Sequence, residues 1–206
     1  VPIRDPIALP GQRIGLLGGS FDPPHAGHVH VSDRALRAAR LDRVWWLVSP
    51  GNPLKSRGPA DIDRRVAACR ALVGRHPRIE VIDIERHVVP PFTVNTLRHL
   101  RERCQGVVFV WLMGADNLAS FHRWRGWTWI IETFPIVVLA RPGEQLRAGL
   151  SHAARRYAHL RVPPERARTL GRCGRVGWTL ATGPMSPQSS TAIRSGGRGS
   201  RDRPQR

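Results

Sequence analysis

The sequence predicts an α/β chain built on a doubly wound parallel sheet with helices on both faces, and three observations carry that expectation. Short apolar runs recur along the chain at residues 13–19 (RIGLLGG), 43–49 (RVWWLVS), 78–85, 107–114, 135–141 and 176–181. Helical patterns fall between them, at 61–73, 93–104 and from 116 to about 132, and strand-helix alternation of this kind favours a parallel sheet. The runs are near-continuous in Val, Ile, Leu and Trp, as strands covered on both sides require.

The elements follow in order. RIGLLGG ends on two glycines, and HAGHVHVSDRALRAAR after it sets Val29, Leu36 and Leu41 among polar residues, a surface-helix pattern. RVWWLVS is a second buried strand. Residues 1–194 read as one domain and 195–206 (SGGRGSRDRPQR) as a basic, disordered tail, because Gly and Arg without apolar residues cannot form a core. No internal repeat is visible.

Composition limits the function classes. The 206 residues carry 33 Lys+Arg against 15 Asp+Glu, a net charge of +18. A polyanionic partner such as RNA would use that charge, but Lys55 is the sole lysine among the basic residues, and only three asparagines occur. This skew reads as arginine-rich coding bias rather than selection for nucleic acid contact, and no aromatic-basic ladder lies on a strand. The excess is concentrated late: residues 143–206 hold 13 arginines against three acids. No apolar run approaches the roughly 18 residues of a membrane span. Cys69, Cys104 and Cys173 are widely spaced and odd in number, which disfavours a disulfide scaffold or a zinc site, and VPIRDPIALP is too proline-broken for a signal peptide; together they suggest the cytoplasm.

The strongest motif is GGSFDPPHAGH, from Gly18 to His28, where the first strand hands over to the first helix. That is where an open α/β sheet presents its ligands. Gly18 and Gly19 allow close backbone approach, and Pro23 and Pro24 restrict the path into the helix. His25 and His28, three apart, fall on one face beside unpaired helix N–H groups, which together make an anion site suited to a triphosphate. An H-x-x-H alone would be two surface histidines on a turn. After GGSFDPP at a strand's end it reads as a phosphate site, though it is neither G-x-G-x-x-G nor G-x-x-x-x-G-K-[ST].

This string resembles the signature of the nucleotidyltransferase superfamily with the H-x-G-H motif, and within it the bacterial nicotinate-nucleotide adenylyltransferases. The resemblance runs from about residue 13 to 194 and implies a Rossmann-like nucleotidyltransferase fold. SPGNPLK places Lys55 in a loop at a strand's carboxyl end, where the resemblance implies contact with ATP or substrate. PFTVNTL is similar to the family's Tyr-Thr-x-x-Thr-Leu segment with Phe92 in place of tyrosine; Thr93 is expected to cap the next helix and to lie against the mononucleotide. In WLMGADNLASFHRWRGW, the resemblance gives Asp116 a ribose hydroxyl and Trp124 a stack on the pyridine ring, whereas Trp127 and Trp129 read as core. Arg141 of ARPG, and Ser189, Ser190, Thr191 and Arg194 of SPQSSTAIR, match the family's remaining ATP contacts.

The resemblance implies adenylyl transfer from ATP to nicotinate mononucleotide, giving nicotinate adenine dinucleotide and pyrophosphate in NAD biosynthesis. Its implied site is Gly18, Gly19, Ser20, Phe21, His25, His28, Lys55, Arg141, Ser189, Ser190, Thr191 and Arg194 around ATP, with Ser20, Phe21, Lys55, Thr93, Asp116 and Trp124 around the second substrate. His25 and His28 are the catalytic pair. Magnesium is expected on the ATP phosphates rather than in a protein site. A homo-oligomer is compatible with the resemblance. Adenylyltransferases acting on nicotinamide mononucleotide or phosphopantetheine are the rival enzymes, and a basic RNA-binding module is the remote alternative; the Gly-Ala-Asp-Asn and Phe-His-Arg-Trp segments argue against phosphopantetheine.

Overall fold

The computed structural model describes residues 8–50, 61–88, 90–140 and 145–182. Six strands, β1 (Arg13–Gly19), β2 (Arg43–Val48), β3 (Ile79–Ile82), β4 (Val108–Gly114), β5 (Ile136–Ala140) and β6 (Trp178–Thr182), form one sheet in the order β3-β2-β1-β4-β5-β6. Every neighbouring pair is parallel. The order reverses between β1 and β4, which opens a crevice at their carboxyl ends, the standard ligand position of such sheets.

Adjacent residues of a strand point to opposite faces, and in β2 this splits two tryptophans. Trp45 joins one core with Trp111, Trp178, Leu97, Leu100, Leu118 and Ile130. Trp46 joins the other with Leu36, Val66, Leu112 and Val137. The helices α3 (Thr93–Arg103), α4 (Ala115–Ser120), α5 (Trp127–Thr133), α6 (Gln145–Gly149) and α7 (His152–Arg156) contribute to the first core, and α1 (Ala26–Ala38) and α2 (Ile62–Val73) to the second. Both sheet faces are therefore sealed, and each fully buried large side chain contributes about 1.5–3 kcal/mol.

Three expectations change. The helix expected from 116 to about 132 is broken into α4, a 3-10 turn at Phe121–Arg123, and α5. Trp124 is extended (φ −78°, ψ 140°) and Gly126 has φ +66°, where a Cβ would meet Val94 at 2.8 Å, so no continuous helix can pass. The strand expected over 78–85 stops at Ile82 and gives way to a 3-10 turn at Ile84–Arg86, which turns Glu85 inward to 5 % exposure. Between β5 and β6, where the sequence offered no elements, the chain folds into α6, α7 and three 3-10 turns. The proposed boundary at residue 194 lies outside the described residues.

Candidate active site

The loop after β1 begins with a close approach. A Cβ on Gly18 would lie 2.6 Å from Cη2 of Trp111 on β4, so the backbone rests directly on that indole. The loop continues through Phe21 at φ +46°, a left-handed conformation costly for an aromatic residue, and a cis Asp22–Pro23 peptide. Phe21 is 1 % exposed and stacks on Trp46 (centroids 4.9 Å, planes 16° apart). Its ring is therefore core packing.

His25 is the N-cap of α1, and its Nδ1 accepts from the Gly27 N–H at 3.1 Å. His28, three residues on, has Nδ1 accepting from the His25 N–H at 3.2 Å. With both Nδ1 atoms acting as acceptors, each neutral ring carries its proton on Nε2 and is a donor there. The rings are 3.9 Å apart between centroids. His28 is wedged against Phe21 (4.8 Å) and edge-on to Trp46 (5.8 Å). Ser32, fully buried, anchors this packing: its hydroxyl accepts from Trp46 Nε1 at 2.8 Å and donates to the His28 carbonyl at 2.9 Å. The first turn of α1 contains no acidic residue, so nothing there offsets the positive end of the helix. Chemically, the arrangement offers preorganised N–H donors to an oxyanion.

On the other side of the crevice, α4 starts at Ala115 with Gly114 as its cap. Asp116 is the second helical residue and is exposed. Its Oδ1 folds back so far that a Cβ on Gly114 would meet it at 2.5 Å, which leaves the carboxylate over the end of β4. Trp124 is half-buried, held edge-to-face by Phe121 (5.4 Å, 73°) and Trp111 (6.2 Å, 80°). Trp111 thus touches both the Gly18 backbone and the Trp124 ring, joining the phosphate loop to the far side of the site through one buried side chain. Trp127 and Trp129 are half-buried and pack on the core.

Thr93 does not cap α3. Phe92 occupies the N-cap without a side-chain cap bond and Thr93 is the first helical residue, because Phe92 is the one with extended backbone (φ −97°, ψ 139°). Thr93 is half-buried at the start of α3. Lys55, Arg141, Ser189, Ser190, Thr191 and Arg194 lie outside the described residues.

Sequence reasoning missed four residues under the site: Ser32, Trp46, Arg65 and Glu85. Trp46 and Glu85 were legible only as strand residues, and Arg65 was one arginine among many. Glu85 is surrounded by low-dielectric core; burial pushes its pKa up to about 7, while the neighbouring hydroxyls of Thr96 and Ser49 pull it part of the way back.

Comparison with known proteins agrees with this geometry. Residues 16–196 match the family model described as cytidylyltransferase-like. A protein of Ruegeria pomeroyi named "Probable nicotinate-nucleotide adenylyltransferase" is 56% identical over 93% of this chain and 90% of its own length. A Methylorubrum extorquens protein of the same name is 50% identical over 89% of this chain and 99% of its own. The fold matches a Plasmodium falciparum nicotinic acid mononucleotide adenylyltransferase complexed with NaAD, with a TM-score of 0.68 at 16% identity, covering 89% of this chain and 83% of that one. Matched by the family model over residues 16–196 and aligned with these relatives over nearly its whole length, the chain belongs to the cytidylyltransferase-like family, among the nicotinate-nucleotide adenylyltransferases.

Proposed function

We propose that this chain transfers the adenylyl group of ATP to nicotinate mononucleotide, releasing pyrophosphate and nicotinate adenine dinucleotide. The observation that carries the reading is the imidazole pair: two rings 3.9 Å apart and tilted by 38° at the start of α1, each with Nδ1 tied to a backbone N–H and therefore donating from Nε2. An oxygen of the mononucleotide phosphate attacks the α-phosphorus of ATP. The new P–O bond forms as the bond to the bridging oxygen breaks, and the electron pair leaves on pyrophosphate. The nucleophile is already anionic, so no general base is required. What remains is alignment and charge neutralisation.

In this reading His25 and His28 donate to the ATP phosphates, with Gly18, Gly19 and Ser20 supplying main-chain approach. Asp116 accepts from a ribose hydroxyl, Trp124 offers its indole face to the pyridine ring, and Thr93 borders the mononucleotide. Lys55, Arg141, Ser189, Ser190, Thr191 and Arg194 complete the ATP side. Magnesium fits here as an ion held by phosphate oxygens and water, because the donors built around the phosphate site are N–H groups rather than carboxylates; when bound it spreads the phosphate charge. Among the described residues no three His, Cys, Asp or Glu side chains cluster to hold a metal.

A cytoplasmic location fits the wide spacing of Cys69, Cys104 and Cys173, and burial pushes the Cys69 thiol up to about 12, leaving it inert. No helix among the described residues is long and apolar enough to cross a membrane. One assay tests the function. Purified protein with ATP and magnesium should convert nicotinate mononucleotide to the dinucleotide with equimolar pyrophosphate, faster than it converts nicotinamide mononucleotide; no pyrophosphate with either substrate would refute the reading.

A further inference from the structure

Arg65 lies on α2, outside every motif, and its side chain is 3 % exposed. Its Nη1 donates to the Ser20 carbonyl at 2.6 Å and to the Ser49 carbonyl at 2.7 Å, and Nη2 donates to the Pro50 carbonyl at 3.3 Å. Ser20 belongs to the loop after β1, whereas Ser49 and Pro50 follow directly on β2. The same junction is closed by the Ser49 N–H, which donates to the Gly19 carbonyl at 3.0 Å. From the opposite side the buried Glu85 carboxyl interacts with Ser49. Burial lowers the Arg65 pKa, and Asp22 of the phosphate loop is the largest opposing charge, so the loop also supplies charge compensation for the guanidinium.

We propose that Arg65 is a positioning residue: its buried guanidinium latches the loop that leads from β1 into His25 and His28 to the residues that follow β2, holding these two carboxyl-end segments of the sheet in register. All three acceptors are main-chain carbonyls of those two loops, so the planar fork measures their separation directly. A lysine cannot do the same, since a single ammonium lacks the fixed spread of donors. Misplacing reacting groups by about 1 Å can cost on the order of a hundredfold in rate, which is the scale at which such a latch acts.

The inference rests on the adenylyltransferase reading, and its test separates the two. Arg65→Met and Arg65→Lys are compared with the wild type for kcat and KM of both substrates, per folded molecule and well below the melting temperature. Arg65→Met should lose about 10- to 100-fold in kcat/KM with both substrates, and Arg65→Lys should recover part of it. Amide exchange of residues 19–28 and of Ser49 should quicken at least about tenfold in Arg65→Met, which reads the latch even if the wild type proves inactive with these substrates. A folded Met variant with kcat/KM within threefold of wild type, or with unchanged exchange, overturns the proposal. Should Met fail to fold, Arg65→Lys decides: a loss above threefold at full folded content supports the latch, and wild-type kinetics overturn it.

Discussion

Replacing Glu85 by glutamine should flatten the pH dependence of stability. Glu85 is 5 % exposed, and burial raises its pKa from 4.5 to about 7, with the neighbouring hydroxyls of Thr96 and Ser49 opposing the rise. The folded state therefore holds the proton more tightly than the unfolded chain. The stabilising contribution is complete below the unfolded value near 4.5 and is lost as pH climbs through about 7. At about 1.4 kcal/mol per pH unit, the wild type should lose ~2 to 3 kcal/mol between pH 5 and pH 8 from this group alone. Glutamine keeps the shape and the hydrogen-bonding capacity but cannot ionise. Urea unfolding of both proteins at pH 5, 6, 7 and 8 gives the difference curve, in which the histidines common to both cancel. The Gln variant should gain ~2 to 3 kcal/mol on the wild type across that range, with unchanged m-values. Curves that stay parallel to within about 0.5 kcal/mol would mean that Glu85 is not a buried carboxyl titrating near neutrality, and the reasoning would fail.

Other perturbations probe the site. His28→Ala should lower kcat by roughly 10²- to 10³-fold, the scale for losing one preorganised donor, while near wild-type turnover in a steady-state assay would remove His28 from the chemistry. Trp124→Ala should raise KM for the mononucleotide with little change in KM for ATP, because the ring is held by Phe121 and Trp111 on the side away from the histidines; the reverse pattern would reassign it. Ser32→Ala should cost about 1–3 kcal/mol in a denaturant melt, since it orphans the buried Trp46 N–H. Gly18→Ala should destabilise by about 1–3 kcal/mol, as its Cβ would sit 2.6 Å from the Trp111 ring, and a melting temperature equal to wild type would show that the indole can move.

The resemblance named a candidate site, whereas the fold was read mainly from periodicity. Strand positions were readable because parallel strands are uniformly apolar, and GGSFDPPHAGH marks its own place at a strand-helix junction. The break at Gly126 was not readable, because the run from Asp116 to Glu132 keeps a helical composition; its interruption depends on Val94, a residue of another helix. The irregular stretch between β5 and β6 lacked a period altogether. Arg65 escaped for a different reason: in a chain with 33 basic residues, nothing local distinguishes the arginine that meets three carbonyls from those that meet water.

By itself the sequence determined the doubly wound class, the point where β1 yields to α1, and the pairing of His25 with His28, because each follows from periodicity or from spacing within one helical turn. Tertiary structure alone decided what lies beneath that pair. Trp46 under Phe21 and His28, Trp111 between Gly18 and Trp124, and Arg65 and Glu85 around Ser49 come from separate segments. The physical reason is distance along the chain: a helical turn is written in neighbouring residues, whereas burial and carboxyl pKa depend on which distant groups the sheet order sets side by side.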